Sequence, residues 1–402
     1  MKIEDMRYFN NRVWMPGILI LLLVGLLFVA CSDDSAEDQG RKQKTVTVMT
    51  GVPSFFEVNK SPTRALPYGY VVYTSLYPSA PPAHATIGII LAKSNGSSVS
   101  DYDKTNYSVV LERDAQGNAT SHWKVVIAVE ESVPYSIYGF MPKEDAGRAT
   151  ITPLPGEGKK FKDGCILSIN NLNTLSSGDV CAIVGVGTND EAANITDLNV
   201  LLGKFDYNSE PYLYLLLKHL YAGLHFKVHI DTEYAKLRVI KVTEMTLKTS
   251  EKISPTINLI ATIEANTTGT DPIGDNISYA DVITNAEDYD YATIQLFPQT
   301  GNPATEFEVP TQTTEEFLSC FAPGKCNSFV LTSRYDVYDK KGNLIRKDCI
   351  AENKINATDI LDINALRAGD IYTIDLKIQP TYLYVLADPD LDNPTFTVVT
   401  DN

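Results

Sequence analysis

Basic residues are scarce in this sequence. Its 402 residues include 34 lysines and arginines against 50 aspartates and glutamates, so the formal net charge is −16 at pH 7. A chain this acidic repels the phosphates of nucleic acids and the headgroups of anionic lipids. The charge balance therefore predicts no nucleic-acid partner, and it argues against binding to a membrane surface through charge.

The motifs of the common enzyme classes are also missing. The sequence has no Gly-x-Ser-x-Gly nucleophile elbow, no glycine-rich phosphate loop and no His-Glu-x-x-His motif. Paired carboxylates for glycoside cleavage could be chosen among the many acidic residues, but nothing singles out one pair. We therefore expect a protein that is not an enzyme and that uses no cofactor.

The spacing of cysteines and histidines gives no metal site. Five cysteines follow Cys31, and none forms a Cys-x-x-Cys pair. Their odd number does not indicate a disulfide framework, although Cys320 and Cys326 could bridge across a turn; the alternative is small buried side chains. His225 and His229 would lie about 13 Å apart on a strand, too far to share an ion. We predict no metal and place both histidines on a solvated face.

One long apolar run lies near the N-terminus. It extends over thirteen residues, Ile18 to Ala30, and follows Lys2, Arg7 and Arg12. A membrane-spanning helix needs about 20 residues. A basic start, a short apolar run and a small closing residue are typical of a secretory signal peptide. We predict that residues 1–30 are a signal peptide cleaved between Ala30 and Cys31, with a single transmembrane anchor as the alternative.

The end of this run carries a second signal. Phe28-Val29-Ala30-Cys31 resembles a bacterial lipobox, in which the cysteine sulfur carries a diacylglycerol and acyl chains such as palmitate. Each buried CH₂ contributes about 0.8 kcal/mol, so several chains hold a protein firmly on a bilayer. The acids Asp33 and Asp34 resemble the surface-export signal of Bacteroidales lipoproteins. These resemblances imply a lipoprotein of the outer membrane, exposed at the cell surface. An ordinary signal peptide followed by a solvated linker is the alternative.

The remaining chain is dominated by strand signals. Short segments rich in β-branched and aromatic residues, such as Thr45–Val48 and Tyr107–Leu111, are separated by turn residues. Apolar and polar residues alternate over Leu224–Ile230 and Tyr372–Ile378, which is typical of half-buried strands. Asp339–Asn343 is typical of a hairpin turn. The sequence therefore predicts an all-β protein built from sandwiches.

A polar stretch divides the chain into two parts. Asp206–Pro211 is rich in turn-forming residues, and each side of it holds enough strands for one sandwich. We predict an acidic and polar linker over residues 31–44, an N-terminal sandwich over 45–206 and a C-terminal sandwich over 207–402. Thr267–Asp288 has few hydrophobic residues and is predicted to be a long surface loop.

Four segments carry a resemblance to a known family. "SPTRALP" near residue 64 and "LLLKHLYAGLHFKVHID" after the predicted boundary are similar to segments of Bacteroidales fimbrillins. "SRYDVYDKKGNLIRKDCIAENKI" and "AGDIYTIDLKIQPTYLYVLADPDLDNP" resemble C-terminal blocks of the same family. The resemblance implies two tandem transthyretin-like β-sandwiches and a place in type V pili, which serve adhesion.

The resemblance also implies a route of assembly. Subunits of this family reach the surface as lipoproteins, and an arginine-specific protease then removes the lipidated segment with the first strand. In this sequence the cut would fall between Arg64 and Ala65 and would release Thr45–Val48. Arg41 is the rival site, but a cut there leaves that strand in place. The groove that opens accepts a strand from another pilin subunit, in a homopolymer or a heteropolymer.

The C-terminal segment 394–400 is the candidate donor strand. Phe396 and Val398 would lie on one face of it, between polar residues. Permanent pairing inside its own sandwich is the alternative for this segment. For the whole chain, two alternatives to a processed fimbrial subunit stay open: the lipidated anchor subunit of a pilus, and a surface lipoprotein that binds glycans.

Overall fold

The structure is a computed structural model that describes fourteen parts of the chain. Within them, no helix is long and apolar enough to cross a membrane. The strands are labelled β1 to β22 in chain order, and all of them belong to one compact unit that begins at Gln43. The described residues are 43–51, 84–113, 116, 119–130, 133–141, 148–176, 178–187, 199–200, 213–265, 272–283, 285–298, 304–356, 365–381 and 390–399.

Two sheets surround the first of two hydrophobic cores. An eight-stranded sheet has the order β10-β5-β2-β3-β4-β1-β11-β9, and β9 also pairs with β5, so the sheet closes on itself. A four-stranded sheet has the order β15-β14-β7-β6. The strands of the larger sheet are β1 Gln43–Gly51, β2 His84–Lys93, β3 Tyr102–Arg113, β4 Ala119–Glu130, β5 Tyr135–Met141, β9 Cys181–Gly187, β10 Asn199–Val200 and β11 Leu213–His219. Those of the smaller sheet are β6 Ala149–Pro153, β7 Gly164–Asn173, β14 Thr256–Glu264 and β15 Ile277–Asp281.

Two further sheets surround the second core. One has the order β22-β21-β12-β18-β8, and the other has the order β16-β13-β19-β20, with β17 paired to β13. The strands of the first are β8 Leu175–Ser176, β12 Ala222–Ile230, β18 Glu315–Phe321, β21 Ile371–Thr381 and β22 Asp390–Val399. Those of the second are β13 Arg238–Thr249, β16 Thr293–Phe297, β17 Phe307–Glu308, β19 Ser328–Asp339 and β20 Leu344–Asn356.

Helical structure is short wherever the structure describes the chain. The α-helix α1, Thr232–Ala235, has four residues, and Asp231 caps it by accepting hydrogen bonds from the backbone amides of Glu233 and Tyr234. Three 3₁₀ turns lie at Val99–Asp101, Phe161–Asp163 and Ala286–Asp288. The prediction of an all-β protein is therefore confirmed, whereas the transthyretin-like topology of the sandwiches stays a prediction.

The two strands predicted from alternating apolar and polar residues, β12 and β21, are present at the predicted positions. Leu224, Phe226 and Val228 of β12 are fully buried in the second core, and so are Leu376 and Ile378 of β21. The hairpin between β19 and β20 is present as well. Its turn begins at Asp339, whose carboxylate accepts hydrogen bonds from the backbone amides of residues 341 and 343. Alternation located these strands because one face of each packs on the core.

Strand pairing crosses the predicted boundary at residue 206. β11 follows the boundary, yet it pairs with β1 and β9 of the first part. β14 and β15 come later still, and β14 pairs with β7. The range 45–206 therefore omits three strands whose side chains contribute to the first core. A run of turn-forming residues marks the turn but does not say to which sheet the next strand returns. The division into two tandem domains itself stays a prediction.

The predicted surface loop Thr267–Asp288 is wrong in part. It contains β15, which pairs with β14 from Ile277 to Asp281. Ile273 is fully buried, and Tyr279 packs against the first core, where its hydroxyl donates a hydrogen bond to the carbonyl of Leu220. Few hydrophobic residues are enough here because β15 is an edge strand and buries only part of one face.

Candidate functional site: the seat of the first strand

β1 lies in the interior of the eight-stranded sheet. It pairs antiparallel with β4 over nine residues, from Gln43 opposite Glu130 to Gly51 opposite His122. On its other side it pairs parallel with β11, where Val48, Met49 and Thr50 lie opposite residues 213–215. A strand with neighbours on both sides forms main-chain hydrogen bonds with each of them. Without β1, the facing edges of β4 and β11 would both be unpaired.

The side chains of β1 alternate between the core and the surface. Val46 and Val48 are 0% and 2% exposed and belong to the first core, whereas Thr45 is exposed and Thr47 is half-buried. Each fully buried valine stabilises the fold by about 1.5–3 kcal/mol through removal of apolar surface from water. The position that β1 occupies between β4 and β11, called its seat below, is therefore a groove. It contains two apolar sites, one for Val46 and one for Val48.

β11 forms one wall of this groove, and sequence reasoning did not pair it with β1. Leu213–Leu217 is a nearly continuous apolar run, and residues 213 and 215–217 are buried. Such a run is typical of a strand covered on both faces. That signal was present in the sequence, but its partner strands lie about 30 and 165 residues upstream, and periodicity does not identify partners so distant.

β22, the candidate donor, lies at the edge of its own sheet. It pairs antiparallel with β21 from Asp375 opposite Val399 to Pro380 opposite Pro394. Phe396 is 4% exposed, and its ring centroid lies 5.0 Å from that of Tyr335. In this structure the segment therefore pairs within its own part of the chain. β22 begins at Asp390, so it is longer at its N-terminal end than the candidate donor segment 394–400.

The other predicted site residues are described less fully. Ala30, Cys31, Arg64 and Ala65 lie outside the described residues. Of Val398, the structure gives the backbone register alone, opposite Leu376. Lipidation, signal-peptide cleavage, the protease cut and the donor strand all stay predictions.

The five later cysteines are free in the structure. Cys320 and Cys326, which the sequence left as a possible bridge, are both buried thiols, and the Cys326 thiol donates a hydrogen bond to the carbonyl of Ser328 at 2.8 Å. Burial raises the pKa of both thiols.

The solvated face predicted for two histidines is wrong for His225, which is 5% exposed. Its Nε2 lies 3.2 Å from Oε2 of Glu316 on the neighbouring strand, and burial lowers its pKa below the usual 6.5. His229 is partly exposed, with Nδ1 2.9 Å from Oδ1 of Asp375 in an orientation that is not a hydrogen bond. Both histidines lie on β12, which has β18 on one side and β21 on the other.

A buried polar cluster lies at the ends of β9 and β11. Asp179, Cys181 and His219 are all buried, and one ligand atom of each lies within 4.8 Å of the others. The Cys181 thiol donates to Oδ2 of Asp179 at 2.9 Å, and its sulfur lies 3.4 Å from Nδ1 of His219. Burial, with the Asp179 charge as a smaller cause, raises the pKa of Cys181. Sequence spacing alone did not point to this cluster, because strand pairing brings His219 across from Cys181.

The fold defines an all-β protein in which β1, the first strand that the structure describes, occupies an interior position of a sheet. No model of a protein family matches the sequence, and no curated protein matches it. Solved structures resemble the chain over most of its length, but with TM-scores below 0.5. At such scores and identities these likenesses carry no argument about its function.

Three of these structures show the extent of the likeness. A candidate cell adhesion protein from Bacteroides fragilis NCTC 9343 has a TM-score of 0.40 and 13% identity, covering 89% of this chain and 98% of that one. A fimbrial protein from Bacteroides vulgatus ATCC 8482 has a TM-score of 0.32 and 12% identity, covering 79% and 91%. The fimbrial anchor protein Mfa2 from Porphyromonas gingivalis has a TM-score of 0.27 and 13% identity, covering 89% and 96%.

Proposed function

We propose that this chain is a structural subunit of a cell-surface fimbria, exported as a lipoprotein and assembled by strand exchange after a proteolytic cut. The observation that carries the proposal is the position of β1. It lies between β4 and β11, and Arg64 follows it in the chain. A cut after Arg64 would leave β1 held by non-covalent contacts alone.

The physical basis of assembly is the replacement of one strand by another. Loss of β1 would leave the ladder groups of β4 and β11 unpaired and two apolar sites open to water. Unpaired edges bind other strands readily. An incoming strand with apolar residues two positions apart would restore both the main-chain hydrogen bonds and the apolar contacts. Other pilin subunits are therefore the proposed partners in assembly. Before assembly, the proposed partners are the outer membrane and an arginine-specific protease.

β22 has the features needed to act as the incoming strand. Phe396 and Val398 have the same two-residue spacing as Val46 and Val48. β22 is an edge strand, so its release would break the main-chain hydrogen bonds to one neighbour, β21. The exchange would also remove Phe396 from its contact with Tyr335, at a cost of about 1.5–3 kcal/mol before the new groove covers it.

Glycan binding is less well supported than a fimbrial role. A glycan site on a sandwich would present several exposed aromatic side chains together. Among the residues whose burial the structure describes, one aromatic side chain, Tyr291, is exposed. Its ring lies near the amino groups of Lys248 and Lys252.

A reversible disulfide crosslink between β1 and β4 tests the proposal. Thr47 lies opposite Val126 of β4, and both side chains reach the surface, Val126 being 56% exposed. A disulfide in the double variant Thr47→Cys, Val126→Cys would keep β1 in its seat even after the chain is cut. We expect the oxidised variant to be processed but to form no multimers, and a reductant to restore assembly.

A second crosslink serves as the matched control. Arg334 and Ile350 are exposed and lie opposite each other on β19 and β20. The variant Arg334→Cys, Ile350→Cys closes a disulfide of the same kind far from β1, so it should assemble whether oxidised or reduced. Assembly of the oxidised β1 variant at the control's rate would refute strand exchange at this groove.

A further inference from the structure

Backbone register brings three metal-ligating side chains together in the first core. Cys181 is the first residue of β9, and it lies directly opposite His219, the last residue of β11. Opposite residues on antiparallel strands have Cβ atoms about 4.5–5.5 Å apart. Asp179 precedes Cys181 by two residues, and its carboxylate reaches both partners. The three donor atoms are a carboxylate oxygen, a thiol sulfur and an imidazole nitrogen, all within 4.8 Å of one another.

The cluster is closed to solvent. The side chains of His219 and Asp179 are 3% and 1% exposed, and Cys181 is 2% exposed. Oδ2 of Asp179 contacts Nδ1 of His219 and accepts from the thiol of Cys181. Oδ1 of the same carboxylate is buried and, among the described residues, has no hydrogen-bond partner. A buried carboxylate oxygen without a partner is costly, so it indicates that another group belongs beside it.

We propose that Asp179, Cys181 and His219 bind one divalent metal ion of the zinc class. Zinc is held by cysteine sulfur, histidine nitrogen and aspartate oxygen, and tetrahedral coordination separates such atoms by about 3.4–3.6 Å. The sulfur of Cys181 and Nδ1 of His219 are already 3.4 Å apart. The carboxylate can turn its unpartnered Oδ1 to the ion. Binding releases the thiol proton, and the dication with one thiolate and one carboxylate has no net charge, which suits a buried site.

A small cavity adjoins the cluster at Asp179 and would hold a water molecule as the fourth ligand. It is lined by Asp179 together with Ser176, Gly178 and Tyr221, and its volume is about 10 Å³. That volume is about the size needed for one water molecule. Three protein ligands and one water make a complete tetrahedral set. The ion would tie the end of β9 to the end of β11, whatever the function of the chain.

Metal retention by untagged protein tests the site. The full chain is unfolded in chelator, refolded with ZnCl₂ or CoCl₂ alone, dialysed against metal-free buffer and analysed by mass spectrometry for bound metal. We expect about one Zn²⁺ per chain, since metal affinity of such sites is coupled to folding. The cobalt form should show a thiolate-to-metal charge-transfer absorption. Failure of the wild type to retain zinc, or absence of that absorption, overturns the proposal.

Conservative variants assign the ligands. Cys181→Ser should abolish the charge-transfer absorption, and Asp179→Asn, which keeps the shape of the side chain, should weaken zinc binding by more than about 100-fold, because even outer-shell partners contribute about 10–100-fold. Cys165→Ser is the matched control, since Cys165 is fully buried in the same core outside the cluster. It should retain zinc and the cobalt spectrum. Unchanged zinc retention and spectrum in Cys181→Ser would overturn the assignment, and circular dichroism of each variant verifies its fold.

Discussion

The substitution Val46→Ala should lower the stability of the precursor and leave that of the assembled fibre unchanged. Val46 is fully buried in the first core, and its register partner on β4 is Ile127. The change removes two methyl groups, worth about 0.8 kcal/mol each, and leaves a cavity, so the free energy of unfolding should fall by about 2 kcal/mol. The uncut precursor, kept whole by Arg64→Ala, provides this measurement by urea denaturation.

The same substitution should leave the fibre unaffected. If β1 is discarded on assembly, residue 46 is absent from the multimers, and their urea resistance should equal that of wild-type multimers. A first strand weakened by about 2 kcal/mol should also dissociate up to about 30-fold more readily, so cut protein should assemble faster.

Thr45→Ala is the matched control on the opposite face. Thr45 is exposed, and exposed substitutions usually change stability by less than about 0.5 kcal/mol. The reasoning would be refuted by Val46→Ala multimers that dissociate at a lower urea concentration than wild-type multimers, since β1 would then still be part of the fibre.

Three further results are expected. Cys31→Ala should abolish incorporation of labelled fatty acid, and continued labelling would show that the lipid lies elsewhere. Deletion of residues 394–402 should leave the first core folded but stop multimer formation by processed protein; multimers that resist mild denaturant would place the donor elsewhere. The pKa of Asp101 is lowered to about 2, first by the Ser98 hydroxyl and then by the amides of Ser97 and Ser98. Its contribution to stability should be present above pH 3.8 and lost as the pH falls towards 2, and Asp101→Asn, followed by urea denaturation, should remove that part of the pH dependence.

Much of the fold follows from local sequence. Alternation placed β12 and β21, and the polar residues of Asp339–Asn343 placed the hairpin that joins β19 to β20. These features could be predicted because neighbouring residues decide them. Thr45–Val48 could be identified as the first strand for the same reason, and the structure extends it to Gln43–Gly51.

Pairing between distant strands could not be predicted in the same way. β14 and β15 return to the first core after β12 and β13 have entered the second, and no residue near Asp206 signals that return. The polar cluster depends on one register, His219 opposite Cys181. The spacing of Asp179 and Cys181 was visible in the sequence, but it became a candidate metal site only once β11 was placed beside β9.

The N-terminal residue of the assembled multimers tests the central claim most directly. Surface multimers are isolated from cells, separated from monomer without heating, and sequenced from the N-terminus. Strand exchange after the proposed cut predicts a start at Ala65, and Arg64→Ala should remove both this start and the multimers. Multimers that begin at Cys31, with β1 still attached, would contradict the account.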